Sequence, residues 1–245
     1  MNFKPKTFYF CPLMENIRHI FFDLDNTLWD YRRNARITLA KLFEEFQIKE
    51  KHGYTFDEFF PHYYESNEQL WADFRDGKVN KEELRVRRFP EAFANLGIPK
   101  AAFALDYEKR FVEEVTLSNY TVEGTEEILL YLKDKYEIHI LSNGFEEVTH
   151  HKINGCLIKD YIKTITTAEE AGAPKPNAQA FQLAIDKAGA KKEESIYIGD
   201  DWIADMMGAS RFGMRAIFFN PLNENHLWVE EIPVIDQLIE LKNYL

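Results

Sequence analysis

A chain of 245 residues that is 45% hydrophobic and 29% charged can bury one large core, or a core with a smaller insertion. Thirty basic residues against 41 acidic ones give a net charge of −11, which disfavours non-specific nucleic-acid binding but not a small anionic substrate neutralised by a local cation. No apolar run is long enough to span a bilayer, and two cysteines without a CxxC pair, Cys11 and Cys156, argue against a disulfide framework or a zinc knuckle.

Residues 1–13 carry two lysines and a short apolar patch reminiscent of a weak signal peptide. Pro12 interrupts the patch and no small-residue cleavage site follows, so the expected location is cytoplasmic. These residues are set apart as an N-terminal extension, and Met14 is an alternative start. The first strand is predicted in IRHIFFD (17–23). Amphipathic helical sequence without a convincing strand then runs from 31 to 119, with helices predicted over 35–46, 56–74, 81–97 and 106–115. That interval is too long for a loop and is expected to form an inserted helical subdomain, with an internal turn at Gly97-Ile98-Pro99 and a return linker over 119–124. Its stripe Phe56, Phe59, Phe60 and Tyr63 follows helical spacing and is expected in the subdomain core.

Beyond the insertion, strands are predicted at 137–143, 161–167, 194–200 and 214–220, with helices over 123–135 and 177–189, the latter stopping at Gly189. The strand runs are continuously apolar, as strands covered on both faces are. Strands alternating with helices imply right-handed βαβ units. The predicted fold class is α/β: a Rossmann-like, doubly wound parallel sheet over 14–30 and 120–245, with an all-helical cap over 31–119.

Three of these strands end in polar groups: Asp23, Ser142-Asn143, and Asp200-Asp201. In open α/β sheets the crevice beyond the carboxyl ends of the strands is where ligands bind. Any one aspartate there could simply cap the next helix. Several carboxylates gathered in one crevice call for a cation, and oxygen ligands without Cys or His point to a hard one, Mg²⁺. A fourth element is Lys175, set between Pro174 and Pro176 in a stiff turn before a helix. An ammonium there could neutralise an aspartate nucleophile and a phosphoryl oxygen together. His150-His151 is set aside as solvated, because adjacent helical residues do not face each other. No GxGxxG or GxxxxGK[ST] occurs where a nucleotide loop would need it.

Together these residues resemble the haloacid dehalogenase superfamily over almost the whole chain: Asp23-Leu24-Asp25-Asn26-Thr27 for its DxDx[TV] motif, Ser142-Asn143 for the second, Lys175 for the third, and Gly199-Asp200-Asp201-Trp202-Ile203-Ala204-Asp205 for GDDxxxD. The resemblance implies a Mg²⁺-dependent phosphomonoester hydrolase. Asp23 would be the nucleophile that forms an aspartyl-phosphate, and Asp25 the general acid/base. Mg²⁺ would be held by the Asp23 carboxylate, the Asp25 main-chain carbonyl and Asp200, with Asp205 and Asp201 supporting from outside. Thr27, Ser142, Asn143, Gly144 and Lys175 would contact the phosphoryl group. The second aspartate, Asp25, sets the chain apart from dehalogenases that attack carbon without a metal. Trp202 is bulkier than is common at its place and is expected to narrow the site.

The segment 67–89, with SNGF at 142–145, is similar to the YjjG-type pyrimidine nucleoside 5′-monophosphatases at Asn67, Leu70, Trp71, Phe74, Gly77, Arg88 and Phe89. The expected partner is a small phosphorylated metabolite, a nucleotide by this resemblance. For Trp71 and Phe74, burial in the cap is the favoured fate and stacking on a base the other. A sugar-phosphate or phosphoglycolate phosphatase, a phosphomutase, and a phosphate-binding module without turnover stay open as alternatives.

Overall fold

The computed structural model describes residues 16–224, 226 and 232–245. The extension, Cys11 and the alternative start at Met14 lie outside them. Six parallel strands form one sheet: β1 (His19–Phe22), β2 (Glu137–Ser142), β3 (Ile162–Thr167), β4 (Ser195–Gly199), β5 (Arg215–Phe219) and β6 (Val234–Ile235), in the order β3-β2-β1-β4-β5-β6. The chain winds outward from β1 through β2 to β3, then returns to β4 on the other side of β1. The loops after β1 and β4 therefore diverge at a switch point, which opens a crevice above the carboxyl ends.

The five predicted strands are all present. The sixth has two residues, too few to show a pattern. Successive residues of the central strands face opposite cores. Ile20, Phe22, Ile138, Ile140, Ile196 and Ile198 enter one core, whereas Phe21, Leu141, Tyr197 and Phe218 enter another with Phe181 and Ala184. Burial on both faces explains the unbroken apolar runs. Each large side chain fully removed from water contributes about 1.5–3 kcal/mol.

The insertion over 31–119 holds five helices: α1 (Tyr31–Glu45), α2 (Ile48–His52), α3 (Phe56–Arg75), α4 (Lys81–Asn95) and α5 (Ala104–Glu114). Four match the predicted ones, and α2, with five residues, is too short to show a period. Thr55 with Glu58 and Asn80 with Glu83 form capping boxes that start α3 and α4. Phe59 and Tyr63 of the predicted stripe are buried, stacking on Phe93 at 4.8 Å and Phe89 at 5.3 Å, while Phe56 and Phe60 pack at the edge of the same core. The segments leaving and re-entering the sheet are tied together: Asp30 N donates to Tyr120 O at 3.0 Å and Val122 N to Leu28 O at 2.9 Å.

Past the sheet's return come α6 (Thr125–Leu132), α7 (Glu146–Asn154), α8 (Ala168–Ala171), α9 (Ala178–Ala188) and α10 (Gly208–Phe212). α9 starts on Asn177 and ends at Gly189 in the left-handed conformation, as its sequence predicts. A wide π turn over Trp202–Met207 runs into α10.

Candidate active site

The strand ends set the site's floor. Asp23 follows β1, and its N–H donates to Ile198 O at 2.8 Å, fixing it beside β4. The next residues form a tight loop: Asn26 sits at φ 62°, its N–H donates to Trp29 O at 2.7 Å, and Trp29 N–H donates to Leu24 O at 2.8 Å. Lys175 is anchored through its backbone. Its N–H donates to Asn143 Oδ1 at 2.8 Å, and Asn143 Nδ2 donates back to Lys175 O at 3.0 Å.

Lys175 is 1% exposed, and its Nζ donates to Asp23 Oδ1 at 2.6 Å, Asp205 Oδ1 at 2.7 Å and Tyr197 OH at 2.7 Å. The tyrosine hydroxyl hands its own proton to Leu141 O at 2.8 Å. Burial alone would discharge the ammonium, but Asp205 and Asp23 outweigh it and hold Lys175 protonated far beyond neutrality. Asp205 Oδ2 accepts from Asp201 N–H at 3.1 Å.

Oxygens of Asp23, Asp200 and Asp205 lie within 4.8 Å of one another. One lysine cannot balance three crowded carboxylates, of which Asp23 and Asp205 are buried and Asp200 is half-buried. Burial first, then Asp205 and Asp25, push the Asp23 carboxyl up to about 7 against the pull of Lys175. Asp200 is driven well above the carboxylate range by burial, then Asp23 and Asp205. Asp205 is raised too, by burial above all. Surplus negative charge on hard oxygen donors is the chemistry that a divalent cation such as Mg²⁺ fits.

A second grouping, His19, Glu137 and His139, lies at the amino end of the sheet. There His19 Nδ1 faces His139 Nε2 at 3.2 Å with ring centroids 5.4 Å apart, a nearly head-on approach. Metal-bound nitrogens must instead converge on a common point about 2.0–2.1 Å from each. A shared proton fits this gap and a metal does not.

Asp25 stands apart from the three-carboxylate cluster. Both its oxygens accept from Lys152 Nζ, at 2.6 and 2.8 Å. Lys152 is 3% exposed, and its ammonium lies 4.6 Å from the Trp29 ring centroid. Sequence reading did not single out Lys152, Tyr197 or Trp29.

The remaining expected residues divide. Ser142, Asn143 and Gly144 line the cavity, with Ser142 Oγ accepting from Gly144 N–H at 3.0 Å. Thr27 does not line it: fully buried, its hydroxyl donates to Asp200 Oδ1 at 3.3 Å and so braces that aspartate. Asn143 spends its amide on the Lys175 backbone. Asp201 is a helix cap, as its position after a strand also allowed. Its Oδ1 accepts from Ile203 and Ala204 N–H at 2.8 and 2.9 Å, and Arg75 reaches Oδ2 at 3.4 Å, which leaves it outside the three-carboxylate cluster.

The cavity above this floor has a volume of about 400 Å³. Trp71, Arg75, Arg85 and Arg88 bound it from the helical side, with Phe145 and Trp202 alongside. Trp71 is half-buried and tilts over Phe145 at 5.2 Å, whereas Phe74 packs edge-on behind them and does not line the cavity. Trp202 does reach the cavity, and its ring rests edge-on against Phe218 at 5.2 Å. Lys81 and Arg85 of α4 pair with Glu147 of α7 at 2.9 and 2.6 Å, drawing the helices down over the strand ends.

The chain is 26% identical over 212 residues to the pyrimidine 5′-nucleotidase PynA of Streptococcus pneumoniae, covering 85% of this chain and 86% of that one. To the pyrimidine 5′-nucleotidase YjjG of Escherichia coli it is 24% identical, with 82% and 85% covered. To a ribulose-1,5-bisphosphate 5-phosphatase of Halopiger xanaduensis it is 28% identical, with 84% and 86% covered. The crystal structure of the putative HAD-hydrolase YfnB of Bacillus subtilis bound to magnesium superposes with a TM-score of 0.83 at 22% identity, over 93% of this chain and 97% of that one, and shows the shared fold. The family description for haloacid dehalogenase-like hydrolases matches residues 20–219. With that match running from β1 to β5 and taking in the helical insertion and all four sequence motifs, the chain belongs to the haloacid dehalogenase-like hydrolases.

Proposed function

We propose that this hydrolase is a Mg²⁺-dependent phosphatase of nucleoside 5′-monophosphates, working through an aspartyl-phosphate on Asp23. The observation that carries this reading is the pair of aspartates two residues apart, each on its own lysine: Asp23 on Lys175 inside the acidic cluster, Asp25 on Lys152 outside it. A nucleophile and a proton carrier need such separate surroundings.

In the first step an Asp23 oxygen attacks phosphorus, the phosphorus–ester oxygen bond breaks, and Asp25 gives its proton to the leaving oxygen. Water then attacks phosphorus, Asp25 takes the water's proton, and the bond to Asp23 breaks to release phosphate. Lys175, Ser142 and Gly144 line the part of the cavity where the phosphoryl oxygens would lie. Asp23, Asp200 and the Asp25 main-chain carbonyl would hold the Mg²⁺, which when bound supplies charge neutralisation and positioning. The helices over 31–119 act as the specificity cap, with Trp71 and Phe145 as the wall for a base.

A screen of phosphorylated metabolites with Mg²⁺ tests this. The highest kcat/KM is expected for pyrimidine nucleoside 5′-monophosphates, ahead of purine ones. Trp71→Ala should lower that value by about 5- to 150-fold, the equivalent of the roughly 1–3 kcal/mol of one base stacked on an aromatic ring, while ribose 5-phosphate changes little. A tenfold preference for sugar phosphates or phosphoglycolate overturns the nucleotide reading and leaves the phosphatase. The ribulose-bisphosphate phosphatase among the relatives favours that second reading.

A further inference from the structure

We infer that Lys152 is a positioning residue for the acid/base carboxylate, needed above all for breakdown of the phosphoenzyme. The inference rests on the phosphatase reading above and deepens it. A buried ammonium without a partner is costly, so its contacts show what its place is for. Lys152 projects from the last turn of α7 across to the loop after β1, and its nitrogen meets both oxygens of Asp25, 2.6 and 2.8 Å away. The faces of Trp29 and Tyr31, 4.6 and 5.4 Å from the nitrogen, close off the other side. The loop that carries Asp25 is itself pinned by the turn bonds around Asn26 and Trp29. An ammonium that engages both carboxylate oxygens fixes the plane of the group as well as its place.

This anchoring keeps Asp25 out of the neighbouring acidic cluster. Two residues from Asp23, the Asp25 side chain would otherwise be free to swing towards that cluster. Such a swing would carry its oxygens away from the place where the proton has to be passed. The step that depends on a held carboxylate is the second: water attacks phosphorus, its proton passes to an Asp25 oxygen, and the phosphorus–Asp23 bond breaks. The first step is less dependent when the leaving group departs unprotonated, as p-nitrophenolate does.

The test is Lys152→Met assayed with p-nitrophenyl phosphate and Mg²⁺. The expected result is a fall in kcat of ~100-fold, within the usual range for loss of general acid–base assistance, with kcat/KM within about threefold of the parent. A pre-steady-state burst approaching one p-nitrophenolate per enzyme should accompany it. Lys152→Arg, which keeps the charge and two donors, should recover kcat to within about tenfold. In an Asp25→Asn background, Lys152→Met should change nothing further. Should the methionine variant fail to fold, Lys152→Gln is held to the same outcomes. An unchanged kcat, a parallel fall in kcat and kcat/KM without a burst, or a full additional loss on top of Asp25→Asn each overturns the inference while the phosphatase stands. No Mg²⁺-dependent phosphate release from any phosphomonoester by the parent enzyme overturns both.

Discussion

Arg88 and Lys175 are both buried cations, and their surroundings differ in one respect. In the helical insertion, Arg88 meets Glu108 through two bonds of 2.7 and 3.0 Å, adds Asn67 at 3.3 Å, and is flanked by the rings of Phe89 and Phe111. One positive charge meets one negative charge. Under the cavity, Lys175 faces Asp23 and Asp205 directly, with Asp200 beside them. The first arrangement is charge-balanced and braces the α4–α5 packing. The second is left short of positive charge, and its aspartates respond by holding protons more tightly. The imbalance marks a place suited to a further cation.

The largest effect that separates the two centres belongs to Asp23. Asp23→Asn keeps shape and removes one of the crowded charges, so phosphatase activity should fall to background while the thermal midpoint holds. Substantial turnover by the folded variant would break the covalent reading. At the balanced centre the consequence is inverted. Glu108→Leu strands a buried guanidinium and should cost about 3–5 kcal/mol of stability, seen as a lower urea midpoint. The kcat of the folded fraction on p-nitrophenyl phosphate should stay within about threefold.

The pH dependence of stability sharpens the contrast further. Asp23 has its folded carboxyl raised to about 7 from the ordinary 3.8, so the folded chain binds that proton more tightly than the unfolded one. Its favourable contribution is therefore complete below about pH 4 and is lost as pH climbs towards 7. In chelator, this contribution should lower the melting temperature between pH 5 and pH 8, and Mg²⁺ should raise it more at pH 8 than at pH 5. A Mg²⁺ increment larger at pH 5 would count against the cluster as the binding place. The smallest effect is expected from Asp200→Asn. By relieving the crowding it should raise the melting temperature in chelator at pH 8 by a few degrees, and it should shrink the Mg²⁺ increment. A marked loss of stability would mean that the imbalance is not the governing feature.

How far all this was legible depends on the range of the interactions. Asp23, Asp200 and Lys175 could be found because each follows a strand or precedes a helix in a short local pattern, and the sheet delivers them to one edge. Gly189 and Asn177 bound α9 through contacts within a turn, equally visible in sequence. Lys152 was not legible. It lies in HHKIN, a polar stretch of helix, and its partner is 127 residues away. Tyr197 was hidden for the opposite reason: in an apolar strand it passes for core, and only its hydroxyl, aimed at Lys175, shows otherwise. Asp201 and Thr27 were assigned by their places in motifs, yet bonds within or just beneath those motifs occupy their side chains. A motif places a residue near the chemistry without saying which way it points.

Gly199 has a consequence for anyone who redesigns this enzyme. A methyl group there would lie 2.1 Å from Asp205 Oδ2 and 2.6 Å from its Cγ. Even alanine would therefore evict the carboxylate that shares Lys175 with Asp23. In a saturation library, position 199 should tolerate no replacement at all, although it does not line the cavity and carries no reactive atom. Grafting the GDDxxxD loop onto another scaffold succeeds only if the glycine and the aspartate six residues on travel together, as a single inherited part.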